Sequence, residues 1–279
     1  MDATTQKERA AQLRQLHHEA PMLTLPNIWD AASARIIEQV GFRAIATTSS
    51  GVATALGYPD GQRISRDVLL TNLAGITRVV TRPVTADIEA GFGATIPEVV
   101  ETVRAVIATG AVGFNLEDSL PAQDGALADI AYQTELIAAL RELAAALDIP
   151  FVINARVDVF LRGVGEPESR FAHAVERANA YLRAGADCVY PIGALDQATI
   201  ARLVGAIDGP VNIMGGPANP PLAELERLGV ARVSLAGGLM RSMLGHLRAV
   251  ARDLYERGDY TRLSADALTG AEVGALFAS

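Results

Sequence analysis

The sequence predicts a closed (β/α)₈ TIM barrel, an α/β fold, as one domain over residues 1–279. Three observations carry that expectation. Eight short apolar, β-rich segments recur, each followed by a longer helical pattern. No hairpin turn joins one segment to the next, so the strands run parallel, because only parallel strands need such crossovers. The glycine-rich dinucleotide fingerprint of an open doubly wound sheet is missing after the first strand, which runs into LPNIWDAAS instead.

Taken in order, residues 1 to 20 are polar and predict one extra helix before the barrel. Strands are expected at Met22–Leu25, Ala44–Thr48, Val84–Asp87, Val112–Leu116, Phe151–Ala155, Asp187–Tyr190, Val211–Met214 and Arg232–Leu235. Apolar spacing of three and four marks helices at Ile96–Ala108, Thr134–Leu147 and Phe171–Arg183. Residues 237 to 279 give one or two more. No linker or low-complexity tract divides the chain.

Composition removes several function classes. Half the residues are hydrophobic (50%) and a fifth are charged (20%), which supports a sizeable core. The net charge is −8 and no basic cluster interleaves with aromatics, so no nucleic-acid partner is expected. Lys7, in the polar N-terminal segment, is the sole lysine. A Schiff-base aldolase or a pyridoxal-phosphate enzyme needs a lysine in a desolvated pocket, and a phosphate loop needs one after its glycine, so these classes fall. Cys188 is the sole cysteine, which forbids an intramolecular disulfide and suits a reducing cytoplasm. The N-terminus lacks an apolar signal core. The longest uncharged stretch, Ala44 to Pro59, is rich in Thr, Ser and Gly, so neither a signal peptide nor a membrane span is expected.

In such a barrel the active site lies at the C-terminal ends of the strands. Residues 83 to 93 read PVTADIEAGFG, a strand that ends in Asp87 and Glu89 and breaks on Gly91 and Gly93. Like charges held this close require something positive between them. VGFNLEDS (112 to 119) and FVINARVD (151 to 158) repeat the design, bringing Glu117 and Arg156 to the same end. Asn27, Tyr190 and Asn212 end other strands. Oxygen donors dominate, which favours Mg²⁺ or Mn²⁺ over Zn²⁺. Asp87, Glu89 and Glu117 are therefore read as a metal set, against the plainer reading of helix caps or loop acids.

Arg156 has two compatible readings, a salt bridge to Glu117 and a bidentate clamp on a substrate carboxylate. Ser49 to Val52 is either a tight turn or a place where backbone amides meet an anion. GYPDG (57 to 61) reads as a Pro-Asp-Gly turn, with a loop over the site as the alternative. His17, His18, His173 and His246 show no HExxH spacing and are expected to be structural or solvated, and Cys188 to be a buried small hydrophobe.

At this point the motifs resemble the isocitrate lyase/phosphoenolpyruvate mutase superfamily. The matching segments are LPNIWDAASARI, the SSG turn, LGYPDG, DIEAGFG, NLEDS, NARVD and the Asn of PVNIM, in order over residues 25 to 214. The resemblance implies a Mg²⁺-binding barrel that runs 2-oxo or 2-hydroxy acid chemistry through an enolate. It implies Asp87 as the metal ligand, with Glu89 and Glu117 acting through bound waters and Asp60 over the metal site. It places a substrate carboxylate on the Ser50, Gly51 and Val52 amides, an anionic group on Arg156, and Asn212 among the substrate contacts. Members are tetramers, dimers of dimers that exchange a last barrel helix, here near residues 237 to 257.

Two departures qualify the resemblance. The carbon–carbon lyases carry a catalytic cysteine in a KxCGH-type loop, where this chain has SLPAQDGALAD (119 to 129) with no cysteine, lysine or histidine. Glu89 stands where many members have the shorter Asp. The leading expectation is a cytoplasmic, homo-oligomeric Mg²⁺-dependent carbon–carbon lyase, decarboxylase or retro-aldol type, on a small 2-oxo or 2-hydroxy dicarboxylate. A phosphonopyruvate-type hydrolase or mutase is the second expectation, and a catalytically silent small-acid-binding barrel the third. Tyr58 and Tyr190 are the available guesses for a general acid.

Overall fold

A computed structural model describes residues 3–123 and 126–278. Met1 and Asp2 of the expected N-terminal helix, Asp124 and Gly125 of the 119 to 129 loop, and Ser279 lie outside the described residues. The strands are β1 (Leu23–Leu25), β2 (Asn27–Ile28), β3 (Ile45–Thr47), β4 (Val84–Asp87), β5 (Gly113–Glu117), β6 (Ser119–Leu120), β7 (Ala126–Leu127), β8 (Val152–Val157), β9 (Cys188–Pro191), β10 (Asn212–Met214) and β11 (Arg232–Ser234). The helices are α1 (Ala3–Gln15), α2 (Ala31–Val40), α3 (Ser49–Ala55), α4 (Arg66–Val79), α5 (Ile96–Ala108), α6 (Ile130–Leu147), α7 (Val159–Arg162), α8 (Pro167–Ala184), α9 (Gln197–Ala206), α10 (Leu222–Arg227), α11 (Gly238–Arg257) and α12 (Gly270–Ala275).

All eight expected strand positions are occupied, and every pairing among them is parallel. The first strand serves two neighbours. Before Pro26 it pairs with β11 (Leu23↔Arg232), and after it with β3 (Asn27↔Ala46). Proline has no N–H to give a ladder, so a break at that position is the natural one. An isolated bridge between Val189 and Val211 joins β9 to β10, and the ring closes. The buried Asn27 side chain pins the seam, donating to the Thr47 carbonyl at 2.8 Å and accepting from the Leu235 amide at 2.7 Å.

Sequence signals set the helix ends. Asp30 caps α2 by accepting from the Ser33 amide at 2.7 Å, while Ser33 reaches back to the Asp30 N–H, and Gly41 ends the helix at φ +106°. The α5 face that reads Val99, Val103, Val106 and Ile107 packs on the barrel, as do Leu136, Ile137 and Leu140 of α6. Below the barrel, α1 inserts Leu13 against Gly113, where an added Cβ would lie 2.9 Å from Leu13 Cδ2. His17 is buried there beside Arg232, and burial, then that cation, lower its pKa to about 3. The four histidines hold structural or surface places, and Cys188 is fully buried, its thiol pushed up to about 12 by desolvation.

Among the described residues, the pairing of β6 with β7 is the one departure from parallel pairing. β6 and β7 form a small antiparallel ribbon (Ser119↔Leu127) with a 3₁₀ turn at Pro121–Gln123 between them. No helix among the described residues is long and apolar enough to cross a membrane.

Candidate active site

Strand register brings the charged residues together. Parallel pairing of β5 with β8 sets Glu117 opposite Arg156, and pairing of β4 with β5 sets Asp87 opposite Asn115. The Glu117 carboxylate meets Arg156 at 2.5 Å, and the same guanidinium forks onto Asp158 at 2.6 and 2.8 Å. The anticipated salt bridge to Glu117 is present, and Arg156 also lines a cavity of about 270 Å³. Ser49, Asp60, Gly61, Glu89 and Glu117 share the walls of that cavity, with Arg63 and Arg162 as further cations. Burial disfavours the Arg156 cation, but Glu117 and Asp158 more than offset this and hold it protonated.

Asp87 is fixed by Ser49, whose amide and hydroxyl donate to Oδ2 at 3.0 and 2.8 Å. Glu89 is 5% exposed and sits at φ +51°, an uncommon backbone for a residue other than glycine. Its Oε2 accepts from the Gln62 amide at 2.5 Å. Strain of this kind persists only where surroundings enforce it, and functional sites are where it concentrates. Burial, then Asp87, Asp60 and Glu117, push the Glu89 pKa up to about 8. Asp60 is raised by burial and by Asp87, and Glu117 is held above the ordinary carboxylate range by burial despite Arg156.

Asp60, Asp87, Glu89 and Glu117 together form a site with surplus negative field and an all-oxygen donor set. A hard divalent cation fits that field. Among the described residues no three His, Cys, Asp or Glu side chains are arranged to enclose one ion by themselves. Asp87, Glu89 and Glu117 thus form an open set rather than a closed three-ligand cage. It fits Mg²⁺, which dehydrates reluctantly and keeps several waters beside one or two carboxylates.

Other anticipated residues are placed differently. Asn212 opens β10 rather than ending it, is fully buried, and donates to the Ser234 hydroxyl at 3.0 Å, so it faces the barrel interior and not the cavity. Ser50, Gly51 and Val52 form the first turn of α3. Thr48 caps that turn, its carbonyl taking the Val52 amide at 3.0 Å and its hydroxyl facing the Gly51 amide at 3.5 Å. Ser49, one residue earlier, is the member that lines the cavity. Tyr190 is buried with its hydroxyl unpartnered, and Tyr58 is half exposed.

The strand-end acid Asp118 has partners that were not anticipated. Buried Asp118 accepts from Arg177 at 3.0 Å, from the Tyr181 hydroxyl at 2.8 Å and from the Asp158 amide at 2.9 Å. This network locks the ends of β5 and β8, and so the Glu117–Arg156 pair, from behind. Asp118 was visible as a second acid at a strand end, but its partners lie 59 and 63 positions away.

The family model described as phosphoenolpyruvate phosphomutase matches residues 13–255. The chain belongs to the phosphoenolpyruvate mutase family. With it comes membership of the isocitrate lyase/phosphoenolpyruvate mutase superfamily. The 2-methylisocitrate lyase of Escherichia coli K12 is 31% identical over 229 residues, covering 79% of this chain and 74% of that protein. The 2,3-dimethylmalate lyase of Eubacterium barkeri is 31% identical over 233 residues, 79% and 77% of the two chains. A crystal structure from Burkholderia cenocepacia J2315 superposes with TM-score 0.91 at 36% identity, over 99% of this chain and 98% of that one. A phosphonopyruvate hydrolase solved with oxalate and Mg²⁺ gives TM-score 0.84 at 26% identity, over 96% and 94%. Family membership and the closed ring of parallel strands agree on the (β/α)₈ barrel.

Proposed function

We propose that this protein is a cytoplasmic Mg²⁺-dependent carbon–carbon lyase acting on a small 2-oxo or 2-hydroxy dicarboxylate. The observation that carries the reading is the cavity in which Asp60, Glu89 and Glu117 face Arg63, Arg156 and Arg162, with Asp87 held at its edge by Ser49. Asp87 would hold the ion, with Glu89 and Glu117 reaching it through water. Bound there, the ion supplies the Lewis-acid pull that lets an enolate depart when the adjacent bond breaks. Arg156 would anchor a substrate carboxylate with the two N–H groups not committed to Glu117 or Asp158, and Ser50 and Gly51 would seat the other end at the start of α3. Glu89, pushed up to about 8, can take or return a proton near neutrality, and Asp60 is shifted in the same direction by burial and by Asp87.

A panel of 2-oxo and 2-hydroxy diacids, assayed with and without Mg²⁺, tests the reading. Metal-dependent release of pyruvate or glyoxylate is expected, and its absence across the panel would sink it. The phosphonopyruvate hydrolase likeness supports a second reading, cleavage of a P–C bond, which a flat phosphorus NMR time course would remove. The proposed assembly is a homotetramer built through α11, whose Met243, Leu247, Leu254 and Tyr255 stand exposed. Light scattering at the monomer mass would overturn that assembly.

A further inference from the structure

A second cavity, of about 700 Å³, adjoins the acid pocket and shares Glu117 and Pro121 with it. Its walls are of a different kind. Phe92, Leu120, Pro121, Ala128, Tyr132 and Leu136 supply an apolar lining between the first turns of α5 and α6 and the β6–β7 ribbon. The cations that line the two spaces, Arg63, Arg156 and Arg162, all lie in the smaller pocket; among the described residues that line the larger one there is none, and Glu98 and Asp129 stand at it. Gln62 joins the two spaces. Its amide N–H binds Glu89 in one, while its side-chain oxygen accepts from the Phe92 amide at 2.7 Å in the other. Gln133, which lines the larger cavity, is 2% exposed, and its Nε2 has no hydrogen-bond partner. That nitrogen is shielded from the cavity itself, so the character of the space is set by its apolar lining and its charge.

The geometry points to an annex that takes an uncharged, largely apolar substituent of the substrate, an alkyl or aryl group on the carbon next to the 2-oxo centre. This inference rests on the proposed reading of the acid pocket as the 2-oxo acid site. Charge sorts the two ends of such a molecule: carboxylates go to the arginine-bearing pocket, and the substituent is excluded from it by size and drawn to the cavity without cations. A second carboxylate in the annex would meet Glu98, Asp129 and Glu117 with nothing to neutralise it.

Calorimetry on the full chain with Mg²⁺ separates the two claims, using oxalate, oxamate and N-alkyl oxamates from methyl to hexyl. Each buried methylene is expected to tighten binding about fourfold at best, so N-butyl oxamate should bind at least about tenfold tighter than oxamate. A gain below about twofold, with oxalate still bound, overturns the annex and leaves the acid-pocket reading standing. If neither oxalate nor oxamate binds, the acid-pocket reading fails and the annex with it. N-(3-carboxypropyl) oxamate, with a charged chain end, should lose the gain; equal tightening would overturn the requirement for an uncharged substituent. Ala94→Trp, at the exposed edge, fills the cavity, and Tyr132→Ala removes part of its wall. Both should shrink the chain-length gain, and a gain that survives in both places the chain elsewhere and overturns the inference.

Discussion

At Gly91 the backbone turns at φ +96°, and a Cβ would fall 2.5 Å from Val99 Cγ1. Gly91→Ala therefore combines a left-handed conformation with a clash against the first turn of α5, and a loss of about 1–3 kcal/mol is expected in chemical denaturation. A larger effect belongs to Arg177, which lies wholly outside the cavity. It is the cation that faces buried Asp118, whose carboxyl burial holds above its ordinary range. Removing one member of a buried pair leaves the other uncompensated, so Arg177→Met should cost about 3–5 kcal/mol. Replacing Arg177 and Asp118 together with apolar residues should recover much of that loss, since no lone charge then remains. A double variant as unstable as Arg177→Met would refute the pairing. The strand-end acids were legible singly in the sequence, because a charge after an apolar run is conspicuous. Their partners were not, since Arg177 sits mid-helix on an amphipathic surface and only the fold brings it to Asp118.

Elements were legible where their periodicity is long. The Ile96–Ala108 helix has the bounds its apolar spacing predicts, because Thr95 and Glu98 form a capping box and Thr109 ends it. The β6–β7 ribbon was not legible, since strands of two residues carry no period to read. Asn212 shows a subtler limit. Pattern places a strand there, but only register with Arg232 shows that Asn212 begins it, away from the end where the site lies. α1, anticipated as one extra helix before the barrel, packs as its stopper: Leu13 is fully buried against Gly113, and His17 lies beside Arg232. Leu13→Ala should therefore behave as a core substitution and cost about 2–5 kcal/mol. A change under about 0.5 kcal/mol, the level of a surface substitution, would show that α1 is not part of the core.

Across the whole molecule, the acid cluster couples stability to pH, and on the proposed reading to metal as well. Glu89 titrates at about 8 in the fold against an ordinary 4.5, with Asp60 and Glu117 shifted in the same direction. Between those two pH values the folded chain binds more protons than the unfolded one, so without metal stability falls as pH rises through the window. His17 works the other way. Its pKa falls from 6.5 to about 3, so its contribution grows as pH rises across that range and is complete above 6.5. The interval from 6.5 to 8 thus reports the acids with little opposition. Thermal melts in chelator should show Tm declining there, and Glu89→Gln should flatten the decline because the amide carries no charge to repel Asp87 and Asp60. On the proposed reading Mg²⁺ binds the folded chain alone, through the deprotonated acids, so the Tm gain it gives should grow with pH across the same interval. A Mg²⁺ gain independent of pH would separate the ion from these carboxylates. A gain of zero would remove the metal from the site altogether.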